Sequence, residues 1–219
     1  MTRSTIPGPS GPPLRSKETR AVILSAAGRV FAKSGLAGAR TNAIAAAAGV
    51  NKALLYYYFR SKQELYEAVV EDHFSEFNRR ALDVLNAPGS ARAVLLRYVS
   101  LHLDFISARH QSAPLFQQLM MTGGNFLERV IRRYFSARGE ALGKLIERGM
   151  RGGEFRRVDR FHATMSIVSL IVFYFSAARV LKLMGHPNAY STANLKRRKQ
   201  QVLDFIRHGL FVNSKVCPP

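Results

Sequence analysis

Residues 41–62 read Thr-Asn-Ala-Ile-Ala-Ala-Ala-Ala-Gly-Val-Asn-Lys-Ala-Leu-Leu-Tyr-Tyr-Tyr-Phe-Arg-Ser-Lys. The stretch spells a short helix, a glycine turn and a second short helix. Thr41 carries the side chain of an N-cap, a hydroxyl able to accept from a free backbone N–H. Ile44, Ala45 and Ala48 share one helical face. Gly49 stands where the chain must leave the helix with positive φ, which costs glycine little. Asn51 caps the next helix, and Val50 and Leu55 are spaced for a hydrophobic staple. Leu55 and Phe59 then face inward, while Lys52, Ala53, Tyr56 and Tyr57 face outward.

The outward face combines one cation, one small residue and two phenols. Three consecutive tyrosines in so short a helix cannot all be buried. A surface helix of this kind fits a DNA major groove, with the lysine and phenols reaching phosphates and Ala53 letting the backbone approach base edges. Spacing alone fits equally well a tyrosine-rich structural helix in an all-α core.

The run Thr41…Ile44-Ala45…Ala48-Gly49-Val50-Asn51-Lys52…Leu55-Tyr56-Tyr57-Tyr58-Phe59…Ser61-Lys62…Leu65 resembles the DNA-binding signature of TetR/AcrR-type transcriptional regulators. The resemblance extends over residues 18–66 and includes Ile23-Leu24, Ala26-Ala27, Phe31 and Gly35, where that family carries its first-helix core. One departure is Leu54, where the family often has a small polar residue; a leucine there can touch a thymine methyl or simply pack. The resemblance implies DNA contacts by Thr41, Asn42, Lys52, Ala53, Leu54, Tyr56, Tyr57 and Lys62. It also implies a homodimer on a double-stranded, palindromic operator and a small-molecule effector that lowers operator affinity. Beyond Tyr66 only an all-helical layout matches.

Charge points to a polyanion. The net charge is +19, graded along the chain: residues 1–63 carry ten Lys/Arg against Glu18 alone, and the remaining residues carry 23 basic and 13 acidic groups. Nucleic acid is the commonest partner of such a surface. A sequence-independent DNA coat or a membrane-surface protein is the rival reading. The single cysteine, Cys217, cannot form an internal disulfide, which fits a reducing cytoplasm, and reads as a tail thiol without a role. The most apolar stretch, Ala163 to Ala178, is short for a bilayer crossing and reads as a buried helix.

In chain order, residues 1–15 are rich in proline, glycine and serine and are expected to be a disordered basic arm, either a tail or a minor-groove contact. Residues 16–62 form the helix-turn-helix head, and residues 63–219 an effector-binding and dimerisation domain. Nine helices are expected: about 16–34, the two short ones, 61–86, 90–109, a short one opened by Ser112 and Pro114, 125–151, 160–184 with Asp159 as cap, and 192–213. Ser61 with Glu64 forms a capping box. Lys62, in the first turn of its helix, opposes the helix dipole; it is either a phosphate contact or an ordinary solvated lysine. No strand-like alternation or internal repeat appears, so the class is all-α.

The eighth helix is apolar on two faces, one for the chain's own core and one for a second copy. In regulators of the family the last two helices pair with their copies as a four-helix bundle. The residues assigned to that interface are Ile167, Leu170, Tyr174, Leu181, Val202, Phe205 and Ile206. The run Lys196-Arg197-Arg198-Lys199 reads as a solvated face in preference to a second nucleic-acid site.

Catalytic signatures are not legible. The six histidines form no metal-binding spacing; His73 and Glu76 share a face, which is too little for a site. There is no phosphate loop and no G-x-S-x-G, so no catalytic residue, metal or cofactor is expected. The middle helices mix aromatic, methionine and polar side chains. His102, Phe105, Phe116, Met120 and Tyr134 read either as plain core or as an effector pocket.

Overall fold

The computed structural model describes residues 16–109 and 113–212. The arm read over residues 1–15, Ser112 and Cys217 lie outside them. Regular structure among the described residues is helical: α1 (Ser16–Gly38), α2 (Thr41–Ala48), α3 (Lys52–Tyr58), α4 (Lys62–Leu85), α5 (Ala91–Ala108), α6 (Ala113–Thr122), α7 (Gly124–Val130), α8 (Ser136–Arg151), α9 (Arg160–Ser176), α10 (Ala178–Leu183) and α11 (Thr192–Leu210). The excess over nine arises inside two long runs. A π turn, Ile131–Phe135, joins α7 to α8. Ala177, at φ −92° and ψ 16°, separates α9 from α10.

The chain divides into two compact units that meet at Val69/Val70, within α4, whereas the sequence placed the boundary after Lys62. The first turns of α4 explain the shift. Leu65, Tyr66 and Val69 are buried, the Tyr66 ring packs edge-on against Phe31 at 5.3 Å, and Val69 lies against Gly28.

In the first unit α1 supplies the inward stripe Ile23, Leu24, Ala27 and Phe31. Its helical path stops at Gly35, which has φ 68°. Ile44 and Ala45 of α2 and Leu55 and Phe59 of α3 complete the core. Gly49 takes the left-handed conformation and donates its N–H to the carbonyls of Ala45 and Ala46.

The second unit is built on a core from α4, α5, α8, α9 and α11 that includes Phe77, Tyr98, Leu103, Leu142, Ile146, Ile171, Phe175, Val202 and Ile206. Its closure depends on Glu154. The two carboxylate oxygens accept the N–H groups of Ala91 and Arg92, each at 2.9 Å, while Ser90 Oγ accepts from Ala93 N–H at 3.2 Å. The first turn of α5 is thereby capped by a side chain distant in sequence, where a negative charge also complements the helix dipole. The Arg92 side chain returns the tie by donating to the carbonyls of Glu154 and Val212. Leu210 and Glu154 carbonyls accept from Arg156 and Val212 N–H, and the Phe155 ring stacks on Phe211 at 5.3 Å. Gly149 makes room for this: a Cβ there would lie 2.2 Å from the Phe155 ring.

Burial by itself would raise the pKa of Glu154, but the N–H bonds from Arg92 and Ala91 and the charges of Arg92 and Arg148 outweigh it and hold the carboxyl below its usual range. A depressed folded-state pKa gives stability that is present at neutral pH and lost as pH falls through the folded value. Glu154→Gln should therefore lower unfolding free energy by about 1 kcal/mol at about pH 7. Urea midpoints of parent and variant should converge as pH falls through the folded value; an equal gap at neutral and acid pH would disprove the charged cap.

Candidate nucleic-acid interface and ligand cavity

Helix α3 has seven residues, too few to be stable alone, so its orientation is imposed from outside. Asn51 Oδ1 accepts the Leu54 N–H at 2.7 Å. Leu55 and Phe59 anchor the inner side, with the Arg20 guanidinium over the Phe59 ring at 5.2 Å. The Tyr58 hydroxyl donates to Ser16 Oγ at 3.3 Å. These ties leave Lys52, Ala53, Tyr56 and Tyr57 exposed on one face, Tyr57 at 80%, and Leu54 half-buried. The Lys52 ammonium sits 5.9 Å from the Tyr56 ring.

Two expectations in this region need correction. Arg40, not Thr41, occupies the N-cap of α2, and no side chain caps it; Thr41 is the first helical residue, one position too late to cap. Exposed Asn42 follows in the same turn. Lys62 is neither solvated nor simply poised for a phosphate. Its ammonium donates to the carbonyls of Ala37 and Ala39, each at 3.1 Å, and so ties the end of α1 to the start of α4. Two of its three donors are occupied. The Ser61 cap is present, its Oγ accepting the Glu64 N–H at 3.0 Å; the Glu64 carboxylate reaches back to Arg60 N–H at 2.9 Å, one residue before the expected Ser61.

In the second unit α4, α5, the π turn, α8 and α9 enclose a cavity of about 380 Å³. Its walls are mostly aromatic and aliphatic. Phe77 packs at a tilt against His102 at 4.3 Å and Phe105 at 4.9 Å, and α9 supplies Val168, Val172, Phe173 and Phe175. Of the residues read as pocket, His102 and Phe105 line the cavity. Tyr134 is buried but packs beyond Phe74, with ring centroids 6.4 Å apart. Met120 faces outward at 49% exposure, and the Phe116 side chain lies outside the described residues. Gln117 donates to the Ser176 carbonyl at 2.8 Å. His73, set aside as half of a metal pair, lines the cavity, and Glu76 instead binds Arg109 at 2.7 Å.

Sequence reading missed Arg138. Its side chain is only 7% exposed, lines the cavity, and lies between the rings of Phe77 at 4.9 Å and Phe135 at 4.7 Å. Nη1 has no hydrogen-bond partner, and none of the ion pairs among the described residues includes Arg138. Burial lowers its pKa from the usual guanidinium value, against a smaller opposing effect of the adjacent Tyr98 hydroxyl, yet arginine stays charged in proteins. A buried cation without a carboxylate is destabilising by several kcal/mol. Cation–π attraction to two rings offsets part of that. A sequence signal existed: Arg138 falls in register with Leu142, Leu145 and Gly149 on the buried stripe of α8. The two cavity histidines are neutral at pH 7, because burial and then a neighbouring arginine lower them: His73 to about 4, with Arg109 beside it, and His102 well below its usual value, with Arg138 beside it.

Comparison with known proteins gives this geometry a lineage. Residues 23–69 match the family described as "Bacterial regulatory proteins, tetR family", and residues 92–206 match "Tetracyclin repressor-like, C-terminal domain". The chain is 32% identical over 174 residues to the HTH-type transcriptional repressor NicS of Pseudomonas putida, covering 76% of this chain and 80% of that protein. The chain belongs to the TetR family. It is also 32% identical to the HTH-type transcriptional regulator RutR of Escherichia coli over 164 residues, or 69% of this chain and 74% of that one. Among solved structures, a putative transcriptional regulator from Saccharomonospora viridis in complex with choline superposes with a TM-score of 0.73 at 22% identity, covering 90% of this chain and all of that one. FadR from Bacillus subtilis in complex with stearoyl-CoA gives 0.67 at 20% identity, covering 85% and 96%. At such identities these two show the all-α TetR fold alone. As a TetR-family member the chain is a DNA-binding transcriptional regulator, and the family and its relatives are regulators, not enzymes. Among the described residues no helix is long and apolar enough to cross a membrane.

The interface residues expected on the last helices of this TetR-family chain are distributed otherwise. Ile167, Val202 and Ile206 belong to the chain's own core. Leu170, Tyr174 and Leu181 are half-buried, and Tyr174 is committed by its hydroxyl to the Ala189 carbonyl at 2.7 Å. Phe205 alone of the seven is largely exposed, at 64%, and Phe161 and Met165 of α9 are exposed with it. Periodicity located two apolar faces on α9 but could not say which one the core takes. The basic run on α11 is partly engaged: Arg198 donates to the Leu170 carbonyl at 2.6 Å, and Lys199 binds Asp104 at 2.6 Å.

The Lys62 tie separates a structural role from a contact role. Lys62→Met should lower the stability of the protein by about 1–2 kcal/mol, whereas Tyr57→Ala should stay within about 0.5 kcal/mol. Urea unfolding followed by circular dichroism measures both, and equal midpoints for Lys62→Met and parent would remove Lys62 from the fold.

Proposed function

We propose that the protein is a ligand-responsive repressor that grips a palindromic operator as a homodimer, with α3 of each copy in the major groove. The observation that carries this is the exposed face of α3, a lysine and two phenols held outward by a cap and two buried anchors. Tyr57 and Lys52 meet phosphates, Tyr56 and Ala53 lie nearest the base edges, and Leu54 packs or touches a thymine methyl. Thr41 and Asn42 stand at the first turn of α2, whose N–H groups lack a side-chain cap and suit a phosphate. Lys62 has one remaining donor for the backbone. The head comprises residues 16 to about 69, and the rest serves effector binding and dimerisation.

Pairing of copies through α9 and α11 is supported by Phe161, Met165 and Phe205, large apolar side chains in water. The cavity is the effector site. TetR-fold neighbours hold ligands as different as choline and stearoyl-CoA, so the effector follows from lining chemistry and not from the fold. Effector and operator are coupled by about 1–3 kcal/mol and reciprocally, so the effector binds free protein more tightly than operator-bound protein. Helix α4 carries both Lys62 and the cavity residues His73, Phe74 and Phe77, which makes it the connecting element.

Tyr57→Ala should weaken binding to the DNA upstream of the protein's own gene and reduce the salt slope of affinity by about one unit. A footprint like the parent's would exclude α3 as the reading element. Phe205→Glu leaves its charge in water in a single copy but buries it between two copies, at a penalty of several kcal/mol. Sedimentation should then show a monomer with helical content intact; a parent that is monomeric at micromolar concentration would reject the dimer.

A further inference from the structure

Resting on the reading of the cavity as the effector site, we propose that its ligand is a compact apolar carboxylate whose carboxyl group pairs with the Arg138 guanidinium. Charge balance within the cavity points there. Arg138 and Arg109 are the two guanidinium groups on the wall, and no aspartate or glutamate lines it. Arg109 is neutralised by Glu76 at 2.7 Å and stacked on Phe105 at 4.2 Å. Arg138 has ring faces on two sides, the buried Tyr98 hydroxyl beside it and no counter-ion; Tyr98 stays neutral because burial raises its pKa, and Nη1 makes no well-formed hydrogen bond. A neutral ligand could accept from that donor but would leave the charge unmatched, and a cationic one would oppose it. A single carboxylate satisfies it, in the planar geometry that guanidinium groups favour.

A phosphate dianion fits less well, because the only other lining cation is already paired. The neutral histidines add no charge, but each ring offers a donor or an acceptor. His102 Nδ1 is itself buried without a partner, and both His102 and Arg138 line the cavity. In the tautomer protonated at Nδ1, His102 is placed to donate to the carboxyl group as well. The remaining wall, with Val168, Val172, Phe173 and Phe175 of α9, takes the apolar body. At about 380 Å³ the cavity is near the lower end of ligand pockets. That size suits a ring acid or a medium-chain acid.

The test uses the full-length protein and calorimetric titration at neutral pH. The probes are 2-naphthoate and octanoate, each against its own amide, with octylammonium as the cationic counterpart. At least one acid should bind, and roughly 10-fold or more tightly than its amide, the range of a charge-assisted hydrogen bond. Arg138→Met should weaken acid binding more than amide binding and so erase that preference, and Arg138→Lys should restore part of it. If Arg138→Met does not fold, the acid–amide–ammonium comparison on the parent decides alone. Equal or tighter binding of the amide or the ammonium, undiminished acid binding by folded Arg138→Met, or no binding by either acid at millimolar concentration would each overturn the proposal. Release of labelled upstream DNA is read separately by fluorescence anisotropy. Acids that bind through Arg138 without releasing DNA leave the ligand class standing and remove the effector role. Release by a ligand indifferent to Arg138 does the reverse.

Discussion

A seven-residue helix cannot hold its own direction in water, and the whole first unit answers that constraint. Nucleation of so short a helix is unfavourable, and most helical stability in proteins comes from tertiary packing. The head therefore fixes α3 at both ends and along one side. Asn51 supplies an acceptor at the start, Leu55 and Phe59 are buried, and Tyr58 reaches Ser16 near the start of α1. Lys62 works on the frame, gathering the Ala37 and Ala39 carbonyls where α1 ends. The outward residues are free for recognition because these groups have taken all the structural work of the helix. A lysine at the start of α4 is thus also part of the frame that holds α3 in place.

The second unit follows the opposite logic around Arg138. Some polar groups in this unit are matched at long range, as Glu154 is to the start of α5 and Arg92 to the carbonyls of Glu154 and Val212. Arg138 is left with ring faces and a cavity. The π turn at Ile131–Phe135 immediately precedes it, and such insertions are frequent at functional sites. The turn sets Phe135 against the guanidinium and gives α8 a new phase relative to α7. A buried charge without a counter-ion costs stability, and a carboxylate that met it with good geometry would offset part of that cost.

What could be read from sequence was what is encoded locally. Gly49, Asn51, Ser61 with Glu64, and the Ile23-to-Phe31 stripe all act within four or five residues, so spacing was enough. The Asp159 and Ser90 caps followed from the same rule, with Asp159 accepting the His162 N–H at 2.8 Å. The failures share a different cause. The capping role of Glu154 carries no local signal because its partners at Ala91 and Arg92 are more than sixty positions away. The ties from Lys62 to the Ala37 and Ala39 carbonyls were not legible because those residues lie one fold-back earlier. Met120 and Tyr134 read as pocket because composition identifies the helices near a cavity but not the rotation of each helix about its axis. The same ambiguity put Ile167, Val202 and Ile206 at an interface when the core takes them. In each case the missing quantity is helix rotation or long-range contact, and neither is a property of a window of residues.

Helix α4 is the one element among the described residues whose side chains enter both cores, with Leu65, Tyr66 and Val69 in the first and Phe77, Ala81 and Leu85 in the second. Any coupling between a DNA face and a cavity is a difference in free energy between two states, and a ligand shifts the balance only by its differential affinity for them. A ligand that merely filled apolar space would stabilise every state that keeps the cavity, and so would shift little. A ligand that neutralises Arg138 discriminates more sharply. The guanidinium is held against Phe77, on α4, at 4.9 Å and against Phe135 at 4.7 Å, and a carboxylate competes with the ring faces for the same cation. Loosening Arg138 from Phe77 changes what holds α4 in place. Recognition of the ligand's charge and movement of the connecting helix are then one event, which is a physical reason for an arginine to stand where the pattern of α8 called for leucine.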